Sequence, residues 1–110
     1  MENRKVNILG TEYAIEKHKI SDDYLLESRD GYCDSTTKSI VTCYLQPEMG
    51  SNIDVSVEEK RLLRHECIHG FLYESGLDEN CEWAKNEEVV DWLAMQFPKM
   101  DKLFRELDIL

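Results

Sequence analysis

Short alternating runs of apolar and polar residues fill the first 45 positions, and a helical period takes over after them. Val6 to Leu9 and Glu12 to Lys17 flank Gly10-Thr11, which predicts a hairpin. Ile20 to Asp30 reads as loop with some extended structure. Tyr32 to Asp34 and Ser39 to Leu45 flank the polar turn Ser35 to Lys38 and predict a second hairpin, with Asp34 shaping its turn. Ile40, Val41, Thr42 and Tyr44 suit a half-buried pleated surface. Pro47 to Asn52 breaks the chain between its two halves.

Ser56, with Glu59 three residues on, has the capping-box spacing and predicts a helix reaching about Ser75, where Gly76 stops it. From Leu62 to Tyr73 this helix is apolar on more than one face, as in a helix at the centre of a domain. A second helix is expected from about Asn80 to Phe97, with Trp83, Val90, Ala94 and Phe97 as its core stripe and Pro98 as its stop. A third runs from Lys99 to about Leu107 and offers Met100, Leu103 and Leu107 for packing. Both tryptophans are expected in the core. The elements predict a single α+β domain over residues 1–110, a small antiparallel sheet of N-terminal hairpins packed on two or three helices.

The 110 residues leave no room for a second domain. With 23 acidic residues against 13 Lys and Arg the net charge is -10, which argues against a nucleic-acid backbone or an anionic membrane as partner. The start, MENRKVNIL, lacks the apolar core of a secretory signal, so a cytoplasmic location and reduced thiols are expected. Cys33, Cys43, Cys67 and Cys81 form no CxxC pair. A monomer is expected.

The chemistry-bearing feature is His65-Glu66-Cys67-Ile68-His69. Histidines four apart stand one turn above each other on one helix face, so both imidazoles reach one cation. Zn2+ accepts such nitrogens and, in catalytic sites, keeps one position open for water. Glu66 projects near that position, where a general base is needed. Two of the three histidines of the chain fall in this motif. Cys67 points off the histidine face and reads as a small core hydrophobe. His18, between Lys17 and Lys19, reads as a surface residue.

A third ligand is required, and the candidates lie in Asn86 to Ala94. Glu87 falls on the apolar stripe, where a carboxylate is misplaced unless it is a ligand, and Asp91 one turn later suits the free N–H of a ligand histidine. Glu88, with Asp91 three and Trp92 four residues on, is the competitor. Tyr73, four residues after His69, is a candidate for the cleft that could steady an oxyanion, with core packing as the alternative.

His65-Glu66-Cys67-Ile68-His69-Gly70, continued by Phe71 to Leu77 and by Asn86 to Ala94, resembles small phage and prophage proteins of Gram-positive bacteria. Those are regarded as zinc metallopeptidases distantly similar to the ImmA/IrrE group. The resemblance extends to Gly31 to Asp34 and Thr37 to Val41. It implies a minimal zincin-like fold that hydrolyses peptide bonds, in which an edge strand holds an extended peptide; Ser39 to Leu45 is the candidate strand. The gluzincin pattern, a glutamate with Asp four residues later, matches Glu87 and Asp91, whereas the ImmA/IrrE pattern selects Glu88. Cys67-Ile68 departs from ImmA/IrrE members, which often carry a glycine before the second histidine. The readings in play are therefore a zinc-dependent metallopeptidase acting on a peptide or protein, and a zinc-stabilised binding module that docks on a host or phage regulator without catalysis.

Overall fold

The structure, a computed structural model, describes residues 3–45 and 54–110; the expected break at Pro47 to Asn52 lies outside the described residues. Strands β1 (Arg4–Ile8) and β2 (Thr11–His18) form the first hairpin. Its turn sits at Leu9-Gly10, one residue before the expected place, with φ of 49° and 95° at the two positions. Two consecutive left-handed residues give the turn whose twist matches that of paired strands, and the Gly10 amide donates to the Asn7 side chain at 2.8 Å. Strands β3 (Gly31–Asp34) and β4 (Ser39–Cys43) form the second hairpin. As expected, Asp34 shapes its turn: the carboxylate accepts from the Thr36 amide (2.9 Å), the Thr36 hydroxyl (2.6 Å) and the Thr37 amide (3.2 Å).

The strand order is β1-β2-β4-β3, and β2 runs parallel to β4, so the sheet is mixed rather than wholly antiparallel. The reason lies in Ile20 to Asp30, which is two short 3-10 turns (Ile20–Asp22 and Tyr24–Glu27) instead of extended chain. They form the longer crossover that a parallel pairing needs. Consequently β4 is an interior strand, with Ile40, Val41, Thr42 and Cys43 all buried, and Ser39 to Leu45 is not the edge. The edge beside the helices is β3. Ile8, Tyr13, Ile15 and Ile40 form the core on one face, joined by Leu63 and Cys67. Leu26, Val41 and Cys43 cluster on the other.

Helix α1 (Val55–Glu74) packs on that first face. Its cap is Asp54, not Ser56: the Asp54 carboxylate accepts from the Ser56 and Val57 amides at 3.1 and 3.3 Å. Ser75 and left-handed Gly76 (φ 84°) end it as expected. At Gly70 a Cβ would stand 2.9 Å from the Ile8 Cδ1 methyl, so the glycine lets helix and sheet approach closely. The last residue, Glu74, ties the helix to the sheet by accepting from Tyr13 (2.6 Å), Lys38 (3.0 Å) and Thr11 (2.8 Å). These donors hold its carboxyl down at about 2.

After a short helix α2 (Leu77–Asn80) and a 3-10 turn (Glu82–Lys85), helix α3 runs from Glu87 to Glu106. The expected pair of helices broken at Pro98 is therefore one helix, beginning at Asn86, whose side chain accepts from the Val89 amide at 3.0 Å. Proline lacks the N–H that would bond the Ala94 carbonyl, and Arg64 Nε from α1 donates to that carbonyl instead, at 2.7 Å. Outside help for the orphaned acceptor lets the helix continue.

Between α1 and α3, Leu72, Ala84 and Val90 pack with Ile68 and Cys81. Val90 and Ala94 are wholly buried, but the other expected members of their stripe, Trp83 and Phe97, are about half exposed, as is Trp92. The two tryptophans are thus surface residues, because α1 covers only the Val90–Ala94 side of α3 and Trp83 sits on a separate turn. Leu103 and Leu107, expected to pack, are exposed too, as is Phe71 on α1. The architecture of the described residues is α+β: a four-stranded mixed sheet with three helices. Among the described residues, no helix is long and apolar enough to cross a membrane.

Candidate metal centre

His65 and His69 lie one turn apart on α1, with ring centroids 4.9 Å apart and Nε2 atoms 3.2 Å apart. Glu87 Oε1 is 2.8 Å from each of those nitrogens. Glu87 opens the first turn of α3, where backbone N–H groups point outward and favour a carboxylate. Asn86 fixes where that helix begins, so the cap also fixes where Glu87 stands. Partial burial alone would raise the Glu87 carboxyl; the hydrogen bonds from His69 and His65 hold it below the ordinary glutamate value. Glu88 is exposed and does not line the cleft. Of the two glutamates left open by the sequence, the structure brings Glu87 to the histidines.

Asp91, one turn along α3, places Oδ1 3.2 Å from His65 Nδ1, as expected. Arg61 fixes Asp91: its guanidinium bonds that carboxylate and pairs with Glu58 through Nη2 at 2.8 Å. With Asp91 at Nδ1 and Glu87 at Nε2, His65 has a carboxylate acceptor on each ring nitrogen; once the Nε2 proton is lost, Asp91 keeps the Nδ1 proton and Nε2 is the atom free to bind a cation. Two imidazole nitrogens and a carboxylate oxygen that converge within 3.2 Å need positive charge among them, supplied either by ring protons donated to Glu87 or by a bound cation. Nitrogens bound at about 2.0 to 2.1 Å in a tetrahedral shell stand about 3.3 Å apart, close to the 3.2 Å between the two Nε2 atoms, while Glu87 Oε1, at 2.8 Å from each, would move outward by about half an ångström to share a metal ion with them.

Glu66 is buried at 6% exposure beside this cluster. One donor atom each from His65, Glu66 and His69 lies within 4.8 Å of the others, a group that could hold a metal ion. Burial raises the Glu66 carboxyl above the ordinary glutamate value, opposed by the two histidines and reinforced by Glu87. A Cβ on Gly31 of β3 would come within 3.3 Å of Glu66 Cγ and 3.4 Å of its Oε2. The absent side chain at Gly31 is what makes room for Glu66.

These groups line a cleft of about 530 Å³ between α1, β3 and the start of α3. Tyr73 lines it as well, with the Lys38 ammonium 4.7 Å above its ring. Arg29, Gly31, Cys33 and Arg61 are cleft residues that the sequence reading did not identify. Arg61 was within reach, since it stands four residues before His65 on the same helix face. The resemblance took in Gly31 to Asp34 but did not place them at the cleft, because only the crossover turns β3 into the edge beside α1. Burial pushes the Cys33 thiol up to about 12, which keeps it protonated and inert. Cys67 packs in the core below the motif, as expected. The four cysteines are free.

His18 is outside the cleft, and its surface reading is corrected. Half-buried, it lies between Asp23 (Nδ1, 2.8 Å) and Glu16 (Nε2, 2.8 Å). The Asp23 bond, opposed by burial, raises its pKa.

No protein-family model, curated protein or solved structure matches this chain.

Proposed function

We propose that the chain is a zinc-dependent metallopeptidase, a minimal zincin-like hydrolase of peptide bonds. The observation that carries this reading is the convergence of His65 Nε2, His69 Nε2 and Glu87 Oε1 within 3.2 Å, with the buried carboxylate of Glu66 beside them. His65, His69 and Glu87 are the ligands in this reading, and Asp91 orients His65. A bound Zn2+ would supply Lewis acidity, polarising the scissile carbonyl and an adjacent water.

The remaining chemistry belongs to side chains of this chain. Glu66, raised in pKa by its dry surroundings, takes a proton from the attacking water and delivers it to the departing amine nitrogen. The substrate lies extended along β3, whose outer edge has backbone groups free of the β4 ladder. Tyr73 lines the same cleft and, in this reading, would donate to the oxyanion. The five carboxylates around the cleft (Asp30, Glu66, Asp78, Glu87 and Asp91) only narrowly outweigh Arg29, Arg61 and a bound Zn2+, so it is the net charge of -10 on the chain that would favour the approach of a basic peptide segment. The resemblance of His65 to Gly70 and Asn86 to Ala94 to phage-borne peptidases supports the same reading.

The test is Glu66→Gln, assayed on a library of unstructured, Lys/Arg-containing peptides with metal content measured in parallel. Zinc retained and cleavage abolished is the expected result. Cleavage undiminished by the substitution would refute the mechanism. A native protein that binds zinc and cleaves no peptide would instead favour the non-catalytic binding module.

A further inference from the structure

Helix α3 carries a second, largely apolar stripe, which the described residues cover in part at Leu93, Gln96 and Met100 and leave open from Leu103 onward. Leu93, Gln96, Met100, Leu103 and Leu107 recur at intervals of three and four, the spacing of a coiled-coil seam. Phe97 and Phe104 run beside it, one heptad apart. The stripe lies roughly 100° round the helix from wholly buried Val90 and Ala94, at 100° per residue. Phe97 is 55% exposed, Leu103 49%, Leu107 58% and Phe104 37%, so the seam opens to solvent towards the helix end. A contiguous apolar strip of this kind marks an interaction site.

Charge indicates what covers it. The chain as a whole, at -10, repels its own copies. The stretch from Gln96 to Leu107 is close to neutral instead: three basic residues (Lys99, Lys102, Arg105) against two acidic ones (Asp101, Glu106) leave it at +1, so two copies of this face repel little and can match opposite charges. We propose that this face of α3 pairs with the same face of a second copy of the chain, the two helices running antiparallel about a two-fold axis between Asp101 and Lys102.

In that register Met100 meets Leu103 of the second copy and Gln96 meets Leu107. Residues flanking an antiparallel seam meet across it in like heptad positions. On one side Phe97 faces Phe104 of the second copy, an aromatic pair. On the other Lys99 faces Glu106, and the symmetry makes each of these contacts twice. A parallel pairing would set Lys99 against Phe104 and Gln96 against itself, and would match no charges. Glu87 and Asp91 point elsewhere, toward the histidines of α1, so the dimer leaves the cleft open. The seam covers about three helical turns, which makes a small interface and a reversible dimer.

The charge pairs provide the test by sedimentation. The wild-type chain is expected to reach twice its 12.9 kDa mass at high micromolar concentration. Lys99→Glu alone sets Glu against Glu, and Glu106→Lys alone sets Lys against Lys, so each should weaken association by about tenfold or more. An equimolar mixture of the two variants restores both attractive pairs and should dimerise as the wild type does. Both positions are exposed, and helical circular dichroism checks that each variant folds. A wild-type monomer at every concentration, single variants that still dimerise, or a mixture that stays monomeric would each overturn the proposal.

Discussion

Gly31→Ala tests whether the edge strand and the general base share one tight space. Gly31 does not have a positive φ, so its role is room, not conformational freedom. The added methyl would lie 2.9 Å from the Val41 backbone oxygen, at least half an ångström inside ordinary contact. A backbone carbonyl in the β3–β4 hairpin cannot swing aside as a side chain can, and the other neighbour is Glu66 itself, at 3.3 Å. Overpacking of this kind costs about 1 to 3 kcal/mol, whereas the reduced freedom of the unfolded chain returns about 0.4 to 1. Because the clash is with backbone, the cost lies toward the upper end, about 2 to 3 kcal/mol, and the net destabilisation is about 1 to 2.5 kcal/mol, a fall in Tm of roughly 4 to 12 °C for a domain of this size. The methyl also pushes the Glu66 carboxylate outward, and if the peptidase reading holds, kcat should fall about tenfold with zinc retained. Thermal unfolding by circular dichroism, beside peptide cleavage, reads both effects. A variant as stable as the wild type would refute the close approach of β3 to Glu66.

Arg64→Ala should cost about 1 to 2 kcal/mol by stranding the Ala94 carbonyl, and much less in a Pro98→Ala background, where the new amide bonds that carbonyl. A urea-unfolding double-mutant cycle measures the difference, and equal costs in the two backgrounds would contradict the account. Glu74 has a folded-state pKa of about 2, depressed from the ordinary 4.5, so its contribution is fully present above about 4.5 and is lost as pH falls toward 2. The acid-unfolding profile of Glu74→Gln should therefore be flatter across that window than the wild type's. Asn86→Ala removes the cap that sets the start of α3; it should cost about 1 kcal/mol and weaken zinc affinity at Glu87, which competition with a chelator would show.

The histidine motif was legible because a four-residue spacing on a helix fixes direction whatever the tertiary fold. The hairpins and Gly76 were legible for the same local reason. Which glutamate reaches the histidines was not: Glu87 and Glu88 differ by about 100° on one helix, and the rotation of that helix about its axis depends on packing against α1. Register in the sheet also escaped, since the parallel β2–β4 pairing is set by 3-10 turns with weak local signals. Pro98 misled because the donor that rescues the helix, Arg64, lies thirty residues away in sequence. The exposed aromatics, Trp83, Trp92 and Phe97, show the opposite error: apolar character predicts burial only when some element is present to cover it.

The measurement that bears most directly on the metal centre is the metal content of protein purified without chelators, by mass spectrometry. Wild type should be compared with His69→Ala, Glu87→Gln and Glu88→Gln. The account predicts about one zinc per chain in the wild type and in Glu88→Gln, a reduced content in Glu87→Gln, and none in His69→Ala. A wild-type chain that stays metal-free in excess zinc, or a Glu88→Gln variant that loses the metal while Glu87→Gln keeps it, would contradict it.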